Sequence, residues 1–302
     1  AGVGMRGAMA QQGYPAHPIR FVIPFGPGGG TDNLIRTIEP HVSRALGQPL
    51  VIENRPGGGS VIGTEMVARA EPDGYTLLAV DTTISINPGL FPRLPYDTAR
   101  DLAPVCLLAR APIVLVVHPS VPARSMAELV ALAKARPGTL AYASGGNGAP
   151  THLAGEMLRF AAGIDITHVP YRGGGPAIQD LLAGNIDMMF DVMPAIIPHV
   201  KEGRFRALAV GSAERVTYVP ELKDVPGMAE LLPGGGIDMQ SWYAVAAPSG
   251  TPADRIGKLH DAIVQVARSD DFRNRIQPMG FTPVWDDTPA GFGTYWREQE
   301  AV

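Results

Sequence analysis

The sequence predicts an α/β fold with parallel sheets, divided into two domains. Three observations predict it. Short apolar runs alternate with amphipathic stretches, the order that produces βαβ units. Loops rich in glycine or hydroxyl residues recur where the apolar runs end. At 302 residues the chain exceeds the length at which one core usually keeps growing, so two domains of ordinary size are expected.

The first element is the apolar run 19–23, which feeds the loop Pro24-Phe-Gly-Pro-Gly-Gly-Gly30 and then a helix. Gly28, Gly29 and Gly30 lack a Cβ, so the loop can adopt positive φ and a ligand can approach its main-chain N–H groups. Thr31 or Asp32 is placed to cap the helix, whose free N–H groups and positive dipole end face back at the loop. Such a construction holds an anion. It is not a P-loop, because Thr31 and Asp32 stand where lysine and a hydroxyl residue should follow the glycines. It matches a dinucleotide fingerprint only partly: Gly26, Gly28 and Glu53 fit, but Thr31 replaces the third glycine. Asp32 at the mouth suits a small carboxylate better than a polyphosphate.

Leu34, Ile35, Ile38, Val42, Ala45 and Leu46 form one helical stripe that Gly47 ends and Pro40 should kink. Residues 49–53 are a strand. The loop Arg55-Pro-Gly-Gly-Gly-Ser60 opens a helix ending near Ala70, and the turn Pro72-Asp-Gly74 leads to a strand over 75–80. Scattered prolines (Pro88, Pro92, Pro95, Pro104) make 82–108 irregular. A strand over 113–117 follows, then a helix capped by Ser125 and broken at Pro137-Gly138, and a strand over 140–143. The loop Ser144-Gly-Gly-Asn-Gly-Ala-Pro-Thr151 opens a helix over 152–162. A strand over 166–171, the loop Arg172-Gly-Gly-Gly175, a helix over 177–183 and a strand over 186–190 ending at Asp191 complete the series.

Strand-end loops thus fall at Gly28, Thr82, Ser144, Gly173 and Asp191. In open α/β sheets ligands bind outside the carboxyl ends of strands, so these loops are expected to form one cleft. For any single loop, a plain short βα turn is the better reading; the coincidence of five shifts the balance.

Composition excludes several classes. Hydrophobic residues make up 45% and charged residues 18%, with 36 Gly and 29 Pro, as in a globular chain rich in turns. A formal charge of −4 without a basic stripe argues against nucleic acid. No apolar run approaches the roughly 18 residues of a membrane span, so a soluble chain is expected. Cys106, the only cysteine, lies in an apolar run and reads as core. No two histidines have metal-ligand spacing. There is no Gly-x-Ser-x-Gly elbow and no His-Glu-x-x-His helix, so neither an enzyme nor a metal or cofactor is expected. Residues 1–13 read as a signal remnant, from Ala8-Met9-Ala10, or as a tag.

The motifs Pro24-Phe-Gly-Pro-Gly-Gly-Gly-Thr-Asp32, Leu46-Gly-Gln-Pro49, Glu53-Asn-Arg-Pro-Gly57, Pro72-Asp-Gly-Tyr-Thr-Leu-Leu78, Leu94-Pro-Tyr-Asp97, His168-Val-Pro-Tyr-Arg-Gly173 and Arg206-Ala-Leu-Ala-Val210 stand in a characteristic order. In this the chain, from Tyr14 to about Arg297, resembles the Bug or TctC-type receptors of tripartite tricarboxylate transporters. The resemblance implies a type II periplasmic-binding-protein fold, with two doubly wound α/β domains, a hinge and a ligand cleft between them. It implies domain 1 over 14–110 and 237–302, domain 2 over 111–236, and crossovers near 109–112 and 234–236. The chain would re-enter domain 1 through a strand over 242–247. Its C-terminal helix, beginning near Pro289, is shorter than the family leads one to expect.

By the same resemblance the ligand is a small organic acid: a di- or tricarboxylate, an amino acid or an aromatic acid. Phe25, Gly28, Gly29, Gly30, Thr31 and Asp32 would hold a carboxylate through main-chain N–H groups. Ser144, Asn147 and Thr151 would grip its far end, with Thr82, Thr83, Tyr171 and Asp191 completing the cleft. Here Gly148-Ala149-Pro150 departs from the Gly-Thr often found after the Ser-Gly loop. Tyr171 would wall the pocket, while Asp191 would either accept from an amino or hydroxyl group or cap its turn. Arg172 would clamp a carboxylate or orient its own loop, and the second role is preferred. The implied protein is a monomer in the periplasm of a Gram-negative bacterium. It would be secreted across the inner membrane and serve TctA- or TctB-like membrane subunits or a sensor protein. The competing reading is a nucleotide-binding oxidoreductase with a degenerate glycine loop.

Overall fold

The computed structural model describes residues 13–212, 215–231 and 239–300. The expected signal remnant or tag, apart from Gly13, and the expected crossover at 234–236 lie outside them. Among the described residues ten strands form the sheet: β1 (Ile19–Ile23), β2 (Leu50–Asn54), β3 (Thr76–Asp81), β4 (Leu102–Val117), β5 (Ala141–Ser144), β6 (Thr167–Pro170), β7 (Met188–Val192), β8 (Arg206–Val210), β9 (Gln240–Pro248) and the two-residue β10 (Thr282–Pro283), which pairs with β4. They follow the order β2-β1-β3-β9-β4-β7-β5-β6, with β8 also paired to β4.

The expected α/β fold is present, but the sheet is mixed. β1 pairs in parallel with β2 and β3, and β5 with β6 and β7. β9 runs antiparallel to both β3 and β4, and β4 is antiparallel to β7 and β8.

The irregular segment expected over 82–108 is instead ordered. It contains helices Thr83–Leu90 and Thr98–Asp101 and the first half of β4. Its prolines are tolerated because of where they fall: Pro104 sits at a shift in the β4–β9 register, where the ladder is already interrupted. β4 therefore belongs to both halves of the molecule. Residues 102–112 pair with β9, and residues 113–117 pair with β7 and β8. The crossover expected at 109–112 lies inside this continuous strand.

Local signals explain the element ends. Helix Gly30–Leu46 buries the stripe Leu34, Ile35, Ile38, Val42 and Leu46, runs through Pro40 on its exposed side and stops at Gly47 in the left-handed conformation. The Ser125 hydroxyl accepts the Glu128 N–H and caps helix Met126–Ala135. Helix Pro289–Glu300 buries Phe292 and Trp296 against Trp242 of β9, with the Trp242 and Phe292 rings edge to face at 6.0 Å. Cys106 is fully buried in β4.

Candidate functional site

Five helices begin at one cavity. The starts of Gly30–Leu46, Thr83–Leu90, Pro150–Ala162, Gly174–Leu182 and Met193–Lys201 all contribute to its wall, through Gly30, Thr83, Pro150, Gly174 and Val192. None of the five is closed by a side-chain hydrogen bond from its N-cap. Away from the cavity, the helices starting after Ser125, Asp97 and Ser269 are closed in that way, while those after Ser60 and Pro252 are not. Open helix starts carry unpaired N–H groups and the positive ends of their dipoles. The cavity and its mouth together span about 430 Å³, open solvent included.

Of the expected residues, Phe25, Gly29, Gly30, Thr31, Thr83, Thr151 and Asp191 line this cavity. The others stand behind it or at its edge. Asp32 is 2% exposed and faces away: its carboxylate accepts from the Gly28 N–H (3.0 Å), Arg36 Nε (2.9 Å) and Asn54 Nδ2 (2.9 Å). Burial disfavours its charge, but these bonds outweigh burial and hold its pKa below the ordinary carboxylate value. Neither Thr31 nor Asp32 is the N-cap; Gly29 is, and Asp32 reaches back from the first turn to tie the loop, as the acid of a capping box does. Asp32→Ala is expected to cost about 1 kcal/mol of stability, read by urea unfolding, because it removes the shared acceptor of the Gly28 N–H, Arg36 and the half-buried Asn54 amide, which keeps the Phe25 carbonyl.

Thr82 accepts the Trp242 N–H at 2.9 Å and so ties the end of β3 to β9. Ser144 is fully buried; it shares a 2.7 Å hydrogen bond with His168 Nε2 and braces Gly146. His168 stacks on His152 at 4.1 Å, and burial pushes its pKa down to about 4. Asn147 is exposed, and the Tyr171 hydroxyl is committed to Asp180 at 2.7 Å. Arg172 is exposed and contributes its carbonyl, which accepts the Gly26 N–H.

Three polar residues of the wall were not anticipated: Asp81, Ser241 and Tyr243. Asp81 is the last residue of β3, and its Oδ1 accepts the Thr83 N–H at 2.9 Å. Ser241 and Tyr243 alternate with Trp242 along β9, so they face the cavity while Trp242 faces the aromatic cluster. Burial raises the pKa of Asp81 to about 6 and, with repulsion from Asp81 added, that of Asp191 to about 7. Burial and the same two acids push the Tyr243 phenol up, so it stays protonated. Among the described residues no lysine, arginine or histidine lines the cavity.

The glycines have a second duty. A Cβ on Gly175 would lie 2.1 Å from the Pro27 carbonyl oxygen, one on Gly59 would lie 2.7 Å from the Asn147 oxygen, and one on Gly148 would lie 1.9 Å from Leu90. Each pairs a loop of the β1–β3 half with a loop of the β5–β7 half. The two sides therefore meet closely along a seam beside the cavity.

The sequence model of TctC, the tripartite tricarboxylate transporter family receptor, matches residues 34–290. The chain belongs to this family. Over 287 residues, 94% of this chain and 86% of the relative, this TctC receptor is 38% identical to protein BugT of Bordetella pertussis. It superposes on R. palustris Rpa4515 with adipate at a TM-score of 0.90, with 33% identity and 95% of each chain covered. For MatC of Rhodopseudomonas palustris with bound malate the TM-score is 0.89, with 30% identity over 95% of this chain and 98% of that one. As a TctC protein the chain is a solute-binding receptor with the fold of the periplasmic binding proteins. The oxidoreductase reading loses its main support, because Glu53, its ribose-binding acid, is engaged by Arg55 and Arg20 instead.

Proposed function

We propose that this TctC receptor binds a small organic carboxylate in the cavity at the five helix starts. One observation carries the reading: none of the five N-cap residues closes its helix with a side-chain hydrogen bond, and apart from the Thr83 N–H, which Asp81 Oδ1 takes, the first-turn N–H groups are left for a ligand. Three such charge-assisted bonds, at roughly 1.5–3 kcal/mol each, reach at most about 9 kcal/mol, the scale of the roughly 8 kcal/mol that micromolar binding needs. Malate and adipate in the related structures agree with a carboxylate. The site residues are Phe25, Gly29, Gly30, Thr31, Thr83, Thr151 and Asp191, with Asp81, Ser241 and Tyr243 added.

The division into residues 14–110 with 237–302 and residues 111–236 remains our reading, with β4 at 109–112 as one hinge strand. The receptor acts as a monomer in the periplasm and delivers its ligand to TctA- or TctB-like subunits or to a sensor, without catalysis. A thermal-shift screen over malate, adipate, aspartate, benzoate, citrate and NAD tests it. A carboxylate at about 100 times its Kd adds about 2.7 kcal/mol, an upward shift of roughly 5 °C. If only NAD shifts the melting point, or nothing does, the reading fails.

A further inference from the structure

Asn147 is the only asparagine of the chain that is followed by glycine. It is exposed, and among the described residues no hydrogen bond holds its side-chain amide. Gly148 has a φ of 78° and no Cβ, so nothing on that residue shields its nitrogen from the neighbouring carboxamide. The Gly148 N–H donates to His152 Nδ1 at 3.2 Å, within the reach of a general base for the proton it takes. The ring is held in place: it stacks on His168 at 4.1 Å, and His168 in turn shares its 2.7 Å bond with Ser144. A base oriented by a further group is the arrangement that activates a nucleophile. Burial, the largest influence, keeps the His152 pKa below its ordinary value; Arg159 acts in the same direction and Glu156 against it. The imidazole is therefore neutral near pH 7, and Nδ1 keeps the lone pair that accepts a proton.

We propose that Asn147 is a self-modification site, deamidated through attack by the Gly148 nitrogen with His152 as the base. This goes beyond the carboxylate reading and does not rest on it. The Gly148 proton passes to His152 Nδ1 as the nitrogen bonds to Asn147 Cγ and closes a cyclic imide. The Cγ–Nδ2 bond then breaks, the proton is handed on to Nδ2, and ammonia leaves. Water opens the imide at either carbonyl and gives aspartate or isoaspartate. Either product adds a negative charge just before Pro150, whose helix starts at the cavity, and isoaspartate also lengthens the main chain there. The change falls on the seam, since the Asn147 oxygen is the atom that a Cβ on Gly59 would meet at 2.7 Å. The other asparagines are internal controls. The amides of Asn33, Asn54, Asn87 and Asn185 donate to Gly28, Phe25, Gly59 and Asp180, and Asn274 is followed by the bulky Arg275.

The test holds the intact receptor at neutral pH over weeks beside a guanidinium-unfolded sample. Mass spectrometry reads the peptide carrying Asn147, with its aspartate and isoaspartate forms separated by chromatography. Asn147 should convert about ten-fold faster in the folded chain, because general-base assistance is worth roughly 100-fold or more and the ordered loop gives back only part of it. The five other asparagines should stay intact while the chain is folded. His152→Phe keeps a ring to stack on His168 but has no base, so its conversion should fall to the unfolded rate or below, with melting curves confirming the fold. His152→Gln, measured alongside, serves the same comparison if the phenylalanine variant does not fold. Asn147→Gln should lose the acidic species that ageing produces on ion exchange. If Asn147 stays intact in the folded chain, or converts no faster than in the unfolded one, the inference is overturned. If the His152 variants convert as fast as the wild type, His152 is not the base and the inference is overturned as well. None of these outcomes touches the carboxylate reading.

Discussion

Gly175→Ala is expected to weaken carboxylate binding about 100-fold while leaving the unliganded receptor as stable as the wild type. The new Cβ would stand 2.1 Å from the carbonyl oxygen of Pro27. The obstacle is backbone, so no rotamer relieves it, and only a separation of the two loops does. Around this point the loops already touch closely: the Gly26 N–H reaches the Arg172 carbonyl at 3.3 Å, and a Cβ on Gly173 would meet the Gly26 nitrogen at 3.0 Å. Forcing the seam apart admits water to the helix starts and exchanges direct N–H contacts for solvated ones. A 100-fold loss corresponds to about 2.8 kcal/mol, no more than one or two charge-assisted hydrogen bonds. Gly175 is the second residue of helix Gly174–Leu182, where alanine is the better helix former. The helix itself should therefore not be harmed. Calorimetry should show the loss of affinity, and melting without ligand should show no fall. A variant that binds like the wild type would mean that the seam is not closed in the bound state.

Asp191→Asn is expected to stabilise the unliganded receptor at pH 8 by on the order of 2–4 kcal/mol and to leave it unchanged at pH 4. An unfolded aspartate ionises near 3.9, whereas burial raises folded Asp191 to about 7. Between those values the folded chain holds a proton that the unfolded chain has released. The stability associated with that proton is complete below about pH 4 and is lost as pH rises through 7. Each unit is worth 1.36 kcal/mol, which sets the scale. Asparagine is neutral throughout, so the difference between the two proteins should open with rising pH. His168, held down to about 4, acts in the opposite sense between pH 4 and 6.5, but it is present in both proteins and cancels. Urea unfolding at intervals from pH 4 to 8 checks this, and equal stabilities at pH 8 would sink it. A gain in stability alongside weaker ligand binding is the pattern of a residue kept for function.

Much of this was legible in the sequence because it is written locally. The run 19–23, its glycine loop and the stripe from Leu34 to Leu46 announce a strand, a turn and a helix within thirty residues, and Ser125 announces its own cap. Asp81 was missed by one position: ending β3 at Val80 placed the acid in a loop, although the rule that ligands gather beyond strand ends already pointed there. Ser241 and Tyr243 were missed because the alternation of β9 fixes two faces without saying which is which. That is decided only when Trp242 meets Phe292 and Trp296 across the fold. The glycines carried two meanings, and the sequence shows one of them. Openness to a ligand is a local property, whereas the approach of Gly175 to Pro27 joins residues about 150 positions apart. The prolines between 88 and 104 misled only in part: Pro92 and Pro95 do lie outside helix and strand, whereas Pro88 sits in a helix and Pro104 at a register shift set by distant pairing.

The shared strand β4 has a bearing on descent. It carries the chain from the half that holds Asp81 to the half that holds Asp191, and β9 brings it back to pair with the same strand. A recombination event with its breakpoints in these strands would transplant one half as a cassette. The offspring would inherit one acid from each parent. The wall of the cavity would then be inherited combinatorially, each parent supplying the helix starts of one half.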